Sequence, residues 1–135
     1  MKKTLLLSAL CLLGLNLAAQ RAYFFEGISI KSNSETSLDA KRTDFGYKYQ
    51  IFRLENTTNE TKTIRFHVDA YYDGNCFTCM NVDEYTYSFE LKPKEIKVGK
   101  ITDAPKIGLK IFESDTQNRI KEKLTDLQFS NVFVK

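Results

Sequence analysis

Residues 63–73, TIRFHVDAYYD, decide the fold class. Ile64, Phe66, Val68, Ala70 and Tyr72 alternate with Arg65, His67, Asp69 and Tyr71. A period of two places apolar side chains on one face and polar ones on the other, the pattern of an antiparallel strand packed on one side. The stretch is rich in β-branched and aromatic residues, which fit a pleated, half-buried surface better than a helix.

The same alternation extends outward in both directions. Downstream, Tyr85, Tyr87, Phe89 and Leu91 alternate with Glu84, Thr86, Ser88 and Glu90. Upstream, Gly46–Glu55 reads as a strand, and the turn formers of Asn56–Thr61 reverse the chain into Thr63. Tyr23–Ile30 supplies an opening strand, and Leu91–Gly99 reads as a strand end, a Pro93 turn and a short strand. Ile107–Phe112 and Leu127–Val134 close the chain. Ser114 or Asp115 offers a helix cap, with Ile120, Leu124 and Leu127 at helical spacing, but turn plus strand is the preferred reading. It makes a tight hairpin of the last two strands. The expectation is an all-β fold, an immunoglobulin-like antiparallel β-sandwich of about seven strands.

The first residues read differently. MKKTLLLSALCLLGLNLAAQ joins a positive start, Lys2 and Lys3, to an apolar run from Leu5 to Ala19 that ends in small residues. That is the build of a cleaved secretory signal peptide over residues 1–19. At a helical rise the run reaches only about 22 Å, short of the roughly 30 Å hydrocarbon core, so a membrane anchor fits less well. Cys11 lacks the small preceding residue that lipid attachment favours, because Leu10 stands there. It is expected to leave with the signal.

Residues 20–135 then form a single domain with no Pro/Gly-rich linker and no repeat. Lys2 and Lys3 carry two units of the formal +3, so the mature chain is nearly neutral. It makes no electrostatic case for nucleic acid. All ten Phe and seven Tyr lie in it, enough for one packed core without reliance on disulfides.

The stretch IFRLENTTNETKTIRFHVDAYYDG resembles the strand–turn–strand hairpin of bacterial immunoglobulin-like or fibronectin-like domains. With the AAQ signal end and the final NVFV strand, the chain is similar to small exported proteins of Bacteroidetes-type bacteria. The resemblance implies export and a sandwich, and it carries no site residues. The framework of antibody domains is missing, since there is no Trp and the two remaining cysteines are close in sequence.

Those cysteines, Cys76 and Cys79 in YYDGNCFTCMNVDEY, are the one chemical motif. Haem attachment needs a histidine after the second cysteine, where Met80 stands. A structural zinc site needs four ligands, and the mature chain offers two Cys and His67, which its place between Arg65 and Asp69 reads as a solvated surface histidine. A redox dithiol wants a helix N-terminus and electropositive surroundings, whereas Asp73, Asp83 and Glu84 are acidic. In an exported chain a closed disulfide is the better reading. It clasps the loop Asp73–Asp83 and makes Asp73, Phe77, Met80 and Asp83 a candidate binding loop, unless Phe77 folds back on the core.

Asn56-Thr-Thr58 and Asn59-Glu-Thr61 match glycosylation sequons but also ordinary turns. Lys92, Lys94, Lys97 and Lys100 read as a solvated edge. No phosphate loop, nucleophile elbow or metalloprotease motif occurs. The expected function is an exported, non-enzymatic module, without cofactor or metal, that binds a protein or glycan at the cell envelope. A thiol–disulfide protein using Cys76 and Cys79 is the alternative.

Overall fold

Two strands of eleven residues organise the molecule, each the centre of its own antiparallel sheet. The computed structural model describes residues 21–38, 41 and 44–135, and the expected signal peptide over residues 1–19, with Cys11, lies outside them. In chain order the strands are β1 (Arg21–Phe25), β2 (Ile28–Leu38), β3 (Gly46–Asn56), β4 (Lys62–Tyr72) and β5 (Asn75–Cys76). They continue with β6 (Thr86–Leu91), β7 (Ile96–Val98), β8 (Lys110–Asp115) and β9 (Leu124–Val134).

In the first sheet β1 pairs with β2, and β2 covers the whole of one edge of β3. The other edge of β3 is shared end to end by β8, at Tyr47–Ile51, and β7, at Arg53–Glu55. The second sheet repeats the plan around β4. There β9 takes one edge, and β6 and the two-residue β5 share the other. Every pairing among the described residues is antiparallel, and they form an all-β sandwich.

The alternation that defines β4 points Ile64, Phe66, Val68 and Ala70 inward. Ile64, Phe66 and Val68 meet Ile28, Ile30, Phe52 and Leu54 of the first sheet, with Leu91, Leu109 and Leu127 completing the buried cluster. Phe129 on β9 joins the two sheets through its ring. Its centroid lies 4.8 Å from Tyr23, 5.5 Å from Phe52 and 5.1 Å from Phe66, each in an edge-on arrangement that the aromatic quadrupole favours.

Three connections differ from the sequence reading. Tyr23–Ile30 is not one strand but a hairpin, because Glu26 and Gly27 both take left-handed φ (45° and 88°) and reverse the chain in two residues. The polar run NSETSL after it, residues 33–38, continues β2, held by its pairing with β3 rather than by burial. Asn56–Thr61 does not close a hairpin either. It carries the chain from the first sheet to the second, because β3 and β4 share no pairing. The Asn56 amide is buried at the crossing and donates to the carbonyls of Glu60, Leu91 and Lys92, while its oxygen accepts from Thr58. A buried, fully bonded amide is a structural group, not a glycan acceptor.

The last two strands part company in the same way. Ser114–Leu127 contains no helix and is turn plus strand, yet β8 belongs to the first sheet and β9 to the second. Strands of opposite sheets cannot form the tight hairpin expected of them. The nine strands of the described residues therefore exceed the anticipated number through the split opening and the short β5.

One side of the sandwich is tied shut. Arg21 pairs with Asp126 at 2.5 Å, and the Tyr23 hydroxyl donates to the Leu127 carbonyl, which brings β1 against β9. The opposite side, where β8 faces β5 and β6, is left open.

Candidate functional site

The open side owes its shape to an unfinished edge. β6 accompanies β4 only from Lys62 to His67, so the backbone of β4 beyond it needs other partners. The segment that follows β4 supplies them. Asp73 and Gly74 take left-handed φ (50° and 83°) and fold the chain straight back onto Tyr71 and Tyr72 as β5. The Phe77 N–H then donates to the Ala70 carbonyl, and the Val68 N–H donates to the Tyr85 carbonyl.

Thr78 completes the repair with its side chain. Its buried hydroxyl donates to the Val68 carbonyl at 2.6 Å and accepts from the Ala70 N–H at 2.8 Å, taking the place of a neighbouring strand. Cys76 and Cys79 are joined in a disulfide, with Cα atoms 5.6 Å apart. The bridge spans the two residues that must face opposite ways: Thr78 turned into the sheet, and Phe77 turned out, 65% exposed. The Cys-x-x-Cys motif is thus a clasp on a strand-edge substitute, and no helix begins at it.

Beneath this clasp lies a cleft of about 750 Å³, within the range of small-ligand sites. Tyr49 on β3 and Ile111 and Phe112 on β8 form one wall, and Tyr72, Phe77, Tyr85 and Tyr87 form the other. Asp73, Lys110 and Glu122 place charges of both signs around it. Lys110 is already engaged: its ammonium sits 4.6 Å from the centroid of Tyr49 and donates to the Ile101 carbonyl at 2.7 Å. Gly108 packs against the ring of Tyr87. Its φ of 83° is left-handed, and a Cβ there would stand 2.3 Å from the ring of Tyr87.

Tyr72, Tyr85 and Tyr87 keep their phenolic protons at neutral pH. Burial, reinforced by Tyr85, pushes the Tyr72 hydroxyl well above the ordinary phenol range, and this hydroxyl donates to the Phe112 carbonyl at 2.6 Å. Burial also raises Tyr85, helped by the charge of Glu84, and raises Tyr87, helped by Tyr85 and Glu84. The unfolded chain loses phenolic protons near pH 10 while the folded chain keeps these, so stability present below about pH 10 declines above it. A spectrophotometric tyrosinate titration is expected to find Tyr72 ionising last, together with unfolding. Ionisation of all seven tyrosines in one reversible step at the ordinary phenol pH excludes this account.

His67 is not the solvated surface histidine that its polar neighbours suggested. It is 3% exposed, on the outer face of β4, because the turn after the clasp folds over that face. Its Nδ1 lies 2.5 Å from Asp69 Oδ1, which also accepts from the Ser130 hydroxyl at 2.8 Å. An acceptor-only carboxylate requires Nδ1 to carry a proton. Its Nε2 faces the Asn81 carbonyl at 3.4 Å. Serine, histidine and aspartate meet here, but the hydroxyl is spent on the aspartate and not on Nε2, where a nucleophile would need it. The group anchors the turn that carries Asn81.

Of the candidate loop residues, Asp73 and Phe77 line the cleft. Met80, 90% exposed, and Asp83 stand outside it, on the turn that His67 holds. Phe77 faces outward, its ring edge-on to Tyr72 at 6.0 Å, and it does not plug the core. Sequence reasoning missed Tyr49 on β3, and Lys110 and Phe112, which β8 brings from a distant part of the chain. It read Tyr72, Tyr85 and Tyr87 only as members of apolar faces. Their one available signal was chemical, since tyrosine recurs where Phe, Leu or Ile would pack as well without a hydroxyl.

Among the described residues, no group of three or more His, Cys, Asp or Glu is placed to hold a metal ion, and no helix is long and apolar enough to cross a membrane. No protein-family model, curated protein or solved structure matches the chain.

Proposed function

We propose that the chain is an exported, non-enzymatic binding module that holds a protein or glycan partner of the cell envelope in the cleft between its two sheets. The observation that carries this reading is the open, tyrosine-lined cleft of about 750 Å³ under the clasped hairpin. Rigid aromatic walls with hydroxyl groups give contact area at low entropic cost, which is how recognition surfaces are built. The apolar start of the chain supports export, and the Cys76–Cys79 bridge suits an oxidising compartment.

The test is capture from an envelope fraction by the immobilised protein. Tyr49→Ala and Tyr85→Ala are each expected to weaken capture about tenfold or more, the size of an aromatic hot spot. Capture that survives both substitutions unchanged removes the cleft from the function.

Cys79 is solvent-exposed and Cys76 borders the cleft, which keeps a thiol–disulfide role as the second reading. That role requires the reduced protein to turn over a disulfide substrate with a glutathione couple as electron donor. Absence of turnover, with the bridge intact in mild glutathione, rules it out.

A further inference from the structure

His67 and Asp69 form a buried pair on the outer face of β4, apart from the cleft lining. Their hydrogen bonds fix how many protons the pair holds. Nδ1 meets the Asp69 carboxylate at 2.5 Å and takes one proton. Nε2 meets the Asn81 carbonyl at 3.4 Å, and a carbonyl oxygen only accepts, so this contact is a hydrogen bond only with a second proton on the ring. Among the described residues, no donor is bonded to Nε2 in its place.

Charge points the same way. With one ring proton the pair is a net negative charge sealed under the turn, and with two it is neutral overall, which burial favours. The Ser130 hydroxyl on β9 donates to Asp69 Oδ1 at 2.8 Å and eases that negative charge without cancelling it. The other elements packed on the pair do not neutralise it. β6 sets Thr86 opposite His67, and β9 sets Ser130 opposite His67 and Gln128 opposite Asp69, all uncharged. Arg65 on β4 is drawn over the ring of Phe133 at 5.6 Å, and Asp83 and Glu84 on the turn are exposed.

We propose that this pair is a proton-operated latch on the turn of residues 78–85. With both ring nitrogens protonated, His67 ties Asn81 to β4. When Nε2 loses its proton, a nitrogen lone pair faces the carbonyl oxygen and the turn is released. The Asn81 carbonyl also accepts from the Tyr85 N–H, and the Tyr85 carbonyl accepts from the Val68 N–H, so release at Asn81 reaches both. Tyr85 is part of the cleft wall, and the exposed Met80 and Val82 ride on the same turn. Imidazole is the side chain whose charge ordinarily changes between about pH 5 and 8. Because the latch closes by taking up a proton, it is held at the acid end of that interval and released at the alkaline end. The latch belongs to the free protein, and only its effect on binding, through Tyr85, rests on the cleft as the binding site.

The experiment is a pH titration of the free protein by NMR. His67 is the single histidine of the chain, so its ring nitrogens give one unmixed set of signals in a long-range 1H–15N spectrum. Both nitrogens are expected to be protonated at about pH 5.5, and Nε2 to have lost its proton by about pH 8.5. In step with that loss, the hydrogen-exchange protection factor of the Val68 amide is expected to fall about tenfold or more, while that of Leu54 in the first sheet stays level. His67→Gln, whose amide donates at either pH, is expected to show no such fall. An Nε2 unprotonated at the acid end or still protonated at the alkaline end overturns the latch. So does Val68 protection that stays constant while Nε2 titrates, or the same fall in His67→Gln. Where the glutamine variant does not fold, the two measurements on the unaltered protein decide by themselves. Capture by the cleft is not part of this readout, so failure of the latch and failure of the binding reading are seen separately.

Discussion

Phe66→Ala is expected to lower the free energy of unfolding by about 3–5 kcal/mol, the range for removing a buried aromatic ring. Phe66 is fully buried on β4 and sits among Phe129, Phe89 and Tyr87, with centroids at 5.1, 5.9 and 6.3 Å. Deleting it removes apolar surface from contact and leaves a void walled by rings from β6 and β9. These rings are fixed by strand pairing on both edges of β4 and cannot collapse inward. Because a domain of this kind holds about 5–15 kcal/mol in all, the loss is a large fraction of its stability. Denaturant unfolding followed by far-UV circular dichroism measures it. Phe133→Ala serves as the contrast, since Phe133 is half-exposed under Arg65 and its removal is expected to cost less than about 1 kcal/mol. Equal losses at the two positions contradict the assignment of the core to the inner face of β4.

The second large effect belongs to Thr78→Val, with an expected cost of about 2–4 kcal/mol. Valine keeps the shape of the threonine but cannot bond to either the Val68 carbonyl or the Ala70 N–H. Both backbone groups are then stranded on a buried stretch of β4, at about 1–3 kcal/mol each. Thr78→Ser, which retains the hydroxyl, isolates the hydrogen bonds from the lost methyl group and is expected to cost much less. The measurement is the midpoint shift in urea for the two variants side by side. A valine variant as stable as the serine one means that water has replaced the hydroxyl and that Thr78 is not an edge substitute. Hydrogen exchange at Ala70, whose N–H donates to the Thr78 hydroxyl, gives an independent readout, with protection lost in the valine variant alone.

Much of the sheet architecture was legible because burial follows the pleat. The alternation in residues 63–73 placed β4, and those in Gly46–Glu55 and Glu84–Lys92 placed β3 and β6 to within a residue or two. The turn preferred over a helix after Ser114 is present as well. Connections were harder. Asn, Thr and Glu in Asn56–Thr61 mark a reversal, but a reversal within a sheet and a crossing between sheets use the same turn residues. Asn56 differs only in that its amide meets carbonyls from Leu91 and Lys92, some thirty-five residues away. His67 was misread for a related reason. Its neighbours in sequence are polar, while its cover comes from the Asn81 turn folding back across the sheet.

By itself, the sequence determined that the chain is all-β, that residues 63–73 form a strand with one apolar face, and that Cys76 and Cys79 are close enough to bridge. Each of these follows from local periodicity or spacing, which a chain carries whatever its tertiary partners. Only the tertiary structure decided that the clasp serves Thr78 at an unfinished strand edge. It alone brought β8 opposite the hairpin, so that Tyr49 and Phe112 face Tyr72 and Phe77 across a cleft. A cleft is made by the unequal lengths of strands in two sheets. That quantity depends on which strands pair, and pairing is a property of residues far apart in the chain.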